Sequence, residues 1–189
     1  MRIGIFGGTF DPPHVGHLLV ASDVHAALEL DRLILVPSAD PPHKQGRVVA
    51  TAEQRLEMTR AAVRGDPRFE VDDVELRRSG ASYSVDTLRE MRERHAGAEL
   101  FFVIGVDQMR EMHSWREPHE VARLACLSVV TRDGDAPDEG GPFPHRLVHV
   151  TRIDLSATDI RRRVREGASI RYFVPEGVRE VIEREGLYG

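Results

Sequence analysis

The stretch Ile5-Phe6-Gly7-Gly8-Thr9-Phe10-Asp11-Pro12-Pro13-His14-Val15-Gly16-His17-Leu18 constrains the fold most. A short apolar run, Arg2 to Phe6, precedes it. A helical pattern follows from Val15 to Leu30, with apolar residues at Leu18, Leu19, Ala21, Val24, Ala27 and Leu28. This is a strand, a glycine-containing turn and a helix start. Gly7 and Gly8 leave backbone amides uncovered and tolerate positive φ. The free N–H groups and the dipole of the helix start favour an anion. Pro12 and Pro13 fix φ on the approach. His14 and His17 are three apart and share a face of the first turn, and Gly16 between them adds no side chain to shield an incoming ligand. Residue types alone leave three readings of the pair: a grip on a polyphosphate, exposed helix residues, or half of a zinc site.

The next apolar run, Arg32 to Val36, reads as a second strand. Strand, helix and strand at this spacing imply a parallel right-handed crossover. The loop after it holds Asp40-Pro41-Pro42-His43-Lys44-Gln45-Gly46. Open α/β sheets place ligands at such strand ends, so Lys44 is either a phosphate contact or a solvated surface lysine. Thr51 and Gln54 form a capping-box pattern that opens a helix to about Arg64. Leu56 and Val63 mark its inner face, and Met58 and Ala62 a second one. Phe69 to Arg77 reads as a third strand, broken near Asp72-Asp73. Ser84 or Ser82 can cap a helix to about His95, and the N–H groups there could hold a carboxylate.

Glu99 to Gly105 is the most apolar run and reads as a central buried strand. Asp107, just past it, is an N-cap, an acceptor for ribose hydroxyls or an aid to a magnesium shell. Pro118 to Ala125 is a short helix, Cys126 to Thr131 a fifth strand and Arg146 to Val150 a sixth. Between the last two, Arg132 to His145 reads as a surface excursion. Ser156 is a natural N-cap, and Thr158 and Arg161 share a face of the helix after it. An arginine fork and a hydroxyl at a helix N-terminus suit a second phosphate site, although an ordinary capped helix gives the same spacing. A last helix runs to about Glu185.

Composition sets limits. The 189 residues suit one domain spanning 1–189, with a small helical C-terminal part from about 156. The net charge of −5 offers no basic footprint for nucleic acid. No apolar run approaches the roughly 20 residues that span a bilayer, and no signal-peptide pattern is present, so a cytoplasmic location is expected. Cys126 is the single cysteine and reads as a buried thiol. Oligomeric state is not legible.

Gly7 to Leu18 resembles the signature of the nucleotidyltransferase superfamily, whose HxGH motif is here His14-Val15-Gly16-His17. Phosphopantetheine adenylyltransferases, glycerol-phosphate cytidylyltransferases and the mononucleotide adenylyltransferases of NAD synthesis share it. The later motifs resemble one branch, the bacterial nicotinate mononucleotide adenylyltransferases. Pro41-Pro42-His43-Lys44 matches its PPHK segment, and Ser82-Tyr83-Ser84 with Thr87-Leu88 matches SYTxxTL with serine for threonine. Gly105, Asp107 and Trp115 match its GxD and tryptophan. Leu155-Ser156-Ala157-Thr158 with Ile160-Arg161 matches ISSTxIR, with Ala157 lacking one hydroxyl.

The resemblance implies a Rossmann-like, doubly wound parallel α/β sheet and adenylyl transfer from ATP to nicotinate mononucleotide. It implies catalytic roles for His14, His17, Lys44 and Arg161. It implies ATP contacts from Gly7, Gly8, Thr9, Phe10, His14, His17, Gly105, Asp107, Ser156, Thr158 and Arg161. Nicotinate-nucleotide contacts fall to Lys44, Tyr83, Ser84, Thr87, Trp115 and Arg116, with the Trp115 ring stacked on the pyridine. Mg²⁺ accompanies ATP, and no protein metal ligand is assigned. Two alternatives remain at this stage: transfer to phosphopantetheine or another phosphate, and a nucleotide-binding regulatory module without turnover.

Overall fold

The computed structural model describes residues 1–39, 48–78, 80–131 and 142–189. Lys44, with the rest of its proline-rich segment, and most of the excursion after Thr131 lie outside the described residues.

Six parallel strands form one sheet in the order β3-β2-β1-β4-β5-β6. They are β1 (Arg2–Gly8), β2 (Arg32–Pro37), β3 (Phe69–Val71), β4 (Glu99–Gly105), β5 (Cys126–Thr131) and β6 (His145–His149). This is the Rossmann-like order that reverses direction between β1 and β4, where doubly wound sheets open a crevice. β1 pairs with both neighbours, Ile5 lying opposite Ile34 on one side and Phe102 on the other.

Side chains alternate across the sheet. Ile3, Ile5, Ile34, Val36, Leu100, Phe102 and Ile104 enter the core on one face. Leu33, Leu35, Phe101 and Val103 enter the core on the other. Helices cover both faces: α1 (Val15–Ala27), α2 (Ala52–Ala62), α3 (Ser84–Arg94), α4 (Val106–Glu111) and α5 (Pro118–Leu124). A turn of 3₁₀ helix, Met112–Ser114, follows α4. The expected helical part exists as α6 (Ala157–Arg165) and α7 (Glu176–Arg184). Met58 and Ala61 of α2 pack with Ile160, Val178, Val181 and Ile182 in a third core, whereas Val63 joins the sheet core. The second end of α2 is therefore buried on two sides, as its sequence anticipates.

Thr51 and Gln54 cap α2 reciprocally. Ser156 caps α6 by accepting from the Asp159 amide at 3.1 Å. Other expectations are corrected. Ser84 is the first residue of α3, not its cap; the cap position is Tyr83, in extended backbone and without a side-chain bond. The third strand stops at Val71 because the Asp72 carboxylate accepts the Val74 amide at 2.8 Å and turns the chain. α1 ends at Ala27, and Glu29 takes a positive φ of 47°. β6 starts one residue earlier than expected, at His145. Cys126 is half-buried, with burial raising its thiol pKa.

Candidate active site

The turn after β1 is built by exclusion of side chains. Gly7 and Gly8 do not use positive φ; that conformation falls on Phe10 instead, at 49°. Gly8 is needed for close approach, since a Cβ there would meet the Phe10 ring at 2.8 Å. Phe10 is buried and stands edge-on to Phe6 and His17, at 5.7 and 5.1 Å between centroids. A Cβ at Gly7 would meet nothing within 4 Å, so Gly7 leaves open space for a ligand.

His14 is the N-cap residue of α1, and its amide donates to Nδ1 of His17 at 3.2 Å. The two rings lie 3.8 Å apart, tilted by 34°. Gly16 holds a different role from the one its sequence suggests. A Cβ there would lie 2.9 Å from Nδ1 of His14 and 3.2 Å from Ile153, so its absent side chain makes room for the His14 ring itself.

Beside this turn is a cavity of about 360 Å³, within the range of small-molecule sites. Gly7, Gly8 and Thr9 line it, with Val36 near the end of β2 and Ser38 just beyond that strand. Tyr83, Ser84, Thr87, Trp115 and Arg116 line the same cavity, so motifs far apart in sequence meet here. Trp115 is half-buried and packs edge-on against Phe102 at 6.3 Å. Arg116 lies over the Tyr83 ring at 4.9 Å and 3.7 Å from the Asp86 carboxylate. Thr87 is buried, donates to Oε1 of Glu75 at 2.8 Å and accepts from Arg78.

Arg161 reaches the turn from α6. Its Nη1 donates to the Asp11 carbonyl at 2.7 Å and its Nη2 to the Thr158 hydroxyl at 3.2 Å. The expected pairing of Thr158 with Arg161 is therefore made. His14, His17, Phe10, Gly105, Ser156 and Arg161 are outside the cavity lining. Asp107 is also outside it; its side chain is 92% exposed and lies 3.3 Å from Arg110. Among the described residues, no group of three or more His, Cys, Asp or Glu side chains could hold a metal ion.

Several supporting residues give no sequence signal. Arg55 is 1% exposed and donates to four backbone carbonyls. These belong to Thr9 and Ser38 at 2.8 and 2.6 Å, Ala39 at 3.0 Å and Ala50 at 3.3 Å. Burial lowers its pKa, and Asp11 opposes that shift. Asp11 is buried and accepts from the Val49 and Ala50 amides and from the Tyr188 hydroxyl. Glu75 lines the cavity, and its Oε2 is buried without a hydrogen-bond partner among the described residues. Most of these contacts join residues far apart in sequence, 46 positions for Arg55 with Thr9 and 177 for Asp11 with Tyr188, beyond any local periodicity; only the polar type at a buried helical position, as at Arg55, could have hinted at them.

Strand order, crevice and anion-suited turn together define a Rossmann-like nucleotide-binding protein. Comparison with known proteins narrows this. The cytidylyltransferase-like family model matches residues 5–163. A Thermus thermophilus protein named "Probable nicotinate-nucleotide adenylyltransferase" is 50% identical over 188 residues, covering 100% of both chains. A Geobacillus thermodenitrificans protein of the same name is 44% identical, covering 100% of this chain and 86% of its own. The chain belongs to the cytidylyltransferase-like family and, within it, to the nicotinate-nucleotide adenylyltransferases. Its fold is that of the Plasmodium falciparum nicotinic acid mononucleotide adenylyltransferase complexed with NaAD, with a TM-score of 0.82 at 19% identity. That match covers 99% of this chain and 97% of the other.

Proposed function

We propose that the chain transfers the adenylyl group of ATP to nicotinate mononucleotide, giving deamido-NAD and pyrophosphate in NAD biosynthesis. The observation that carries this is the cavity lining: Tyr83, Ser84, Thr87 and Trp115 share one cavity with the Gly7–Thr9 turn. A flat apolar ring beside a free helix N-terminus suits a pyridine bearing a carboxylate. The likeness to relatives named for this reaction supports the same acceptor.

In the proposed reaction an acceptor phosphate oxygen attacks the α-phosphorus of ATP in line. The bond from that phosphorus to the bridging oxygen breaks, and pyrophosphate leaves with the electron pair. The acceptor is already ionised, so no protein nucleophile is needed and catalysis is positioning and charge stabilisation. His14 and His17 hold ATP phosphates as charge develops, and Arg161 and Lys44 stabilise the leaving pyrophosphate. Gly7, Gly8, Thr9 and Phe10 supply backbone to the nucleotide, with Gly105, Asp107, Ser156 and Thr158 completing its site. Tyr83, Ser84, Thr87, Trp115 and Arg116 surround the nicotinate ring. A divalent metal, Mg²⁺ in this reading, would arrive with ATP and would supply charge neutralisation for its phosphates, with no protein ligand assigned to it. One catalytic unit spans residues 1–189, with residues from about 156 as its helical part. Among the described residues no helix is long and apolar enough to cross a membrane, and the use of ATP as co-substrate supports a cytoplasmic location.

The test is pyrophosphate release with Mg-ATP, run in parallel with nicotinate mononucleotide, nicotinamide mononucleotide and phosphopantetheine. The proposal expects turnover with nicotinate mononucleotide first, lost in His17→Ala. Turnover with phosphopantetheine alone would remove the acceptor assignment. ATP binding without pyrophosphate release from any acceptor would leave a binding module.

A further inference from the structure

Tyr188 lies outside the cavity lining, yet its side chain ends at the catalytic turn. It is 5% exposed and takes a positive φ of 69°. Its hydroxyl donates to Oδ1 of Asp11 at 2.8 Å, 177 positions away. The same oxygen accepts from the Ala50 amide at 3.1 Å, and Oδ2 accepts from the Val49 amide at 2.8 Å. Arg161 Nη1 stands 3.8 Å from Oδ2. A carboxylate offers about four lone-pair sites, so these donors occupy Asp11 almost completely and leave its side chain little freedom to turn.

Asp11 also meets Arg161 through its backbone. The carbonyl accepts Nη1 of Arg161 at 2.7 Å. One residue therefore takes the tyrosine hydroxyl on its carboxylate and the guanidinium on its carbonyl. Arg161 keeps a side-chain exposure of 16%, so the side chain is not sealed from solvent. We infer that Tyr188 is a positioning residue for Arg161: its hydroxyl fixes Asp11, and Asp11 fixes the direction in which the guanidinium meets phosphate. Tyr188 touches no substrate in this account. The inference rests on the reading of Arg161 as a phosphate ligand, but not on the identity of the acceptor.

The test is a double-mutant cycle on the affinity of the full chain for inorganic pyrophosphate, measured by calorimetry. Tyr188→Phe removes one hydroxyl and keeps the ring. It is expected to weaken pyrophosphate binding about tenfold, the scale of one lost hydrogen bond that orients a charged group. Arg161→Ala also weakens binding, and adding Tyr188→Phe to it weakens binding no further. Additive losses would mean that Tyr188 acts on the fold at large, and binding of Tyr188→Phe at wild-type strength would likewise overturn the inference. So would wild-type binding by Arg161→Ala. Circular dichroism checks that each variant is folded. Asp11→Asn is the second variant, because it keeps the carbonyl that Arg161 uses, and the same non-additivity is expected. A cycle with the expected coupling, in a protein that does not turn over nicotinate mononucleotide, would reject the acceptor reading and leave this one standing.

Discussion

Replacing Arg55 with methionine removes the guanidinium that joins three segments around the cavity and keeps much of the aliphatic volume. Four backbone carbonyls lose a charged donor: those of Thr9, Ser38, Ala39 and Ala50. A hydrogen bond to a charged group contributes about 1.5–3 kcal/mol, so the four together approach roughly 6–12 kcal/mol before any cost. Removing the guanidinium from water takes back several kcal/mol. Three of the carbonyl contacts are only part-buried, so water can replace some of the loss. The net destabilisation is about 4 kcal/mol, which lowers the melting midpoint by roughly 10–15 °C in a chain of this length. Urea denaturation with a common slope measures it directly. Arg55→Lys separates charge from shape. One ammonium cannot reach four carbonyls in fork geometry, so lysine is expected to restore less than half of the loss. A methionine variant within about 1 kcal/mol of wild type, or a lysine variant equal to wild type, would refute the reasoning.

Glycine substitutions separate ligand space from protein space. Gly7→Ala meets no protein atom within 4 Å; it is expected to melt within about 2 °C of wild type while the KM for ATP rises about tenfold. Gly16→Ala presses on the His14 ring at 2.9 Å; pyrophosphate release is expected to fall about a hundredfold in a protein that circular dichroism shows to be folded. Tyr188 gives a pH dependence. Burial first, and then Asp11, raises its pKa above the ordinary 10.0. The neutral form is thus favoured in the folded state. Its contribution to stability is complete below about pH 10 and declines as pH rises from there towards the folded pKa. Tyr188→Phe lacks that decline, so the stability gap between the two proteins should be wider at about pH 8 than at about pH 11, as read from urea midpoints.

The sheet was legible because its strands carry their own signal. Glu99–Gly105 and Cys126–Thr131 are found where apolar runs place them. Thr51 with Gln54, and Ser156, cap helices as their side chains dictate. Several residues that line the cavity stand in motifs that the sequence displays, although only the fold brings Gly7 and Trp115 to one space. Errors arose where short polar side chains compete for backbone. The break expected near Asp72-Asp73 is there, made by the Asp72 carboxylate on the Val74 amide, but the strand does not resume towards Arg77, and Ser84 enters α3 rather than capping it. The supports beneath the site were invisible. Arg55 resembles any arginine of an amphipathic helix, and Asp11 resembles an ordinary turn aspartate, until partners distant in sequence come within hydrogen-bond reach. Gly16 was assigned a role towards ligand, whereas the space it leaves is filled by His14.

Trp115 is the only tryptophan in the chain, so its fluorescence reports on the cavity without labelling. The account predicts saturable quenching as nicotinate mononucleotide is added, and none with phosphopantetheine, because a pyridine ring stacks on the indole. A protein that releases pyrophosphate from ATP and nicotinate mononucleotide while its tryptophan emission stays unchanged would contradict the placement of the acceptor in this cavity.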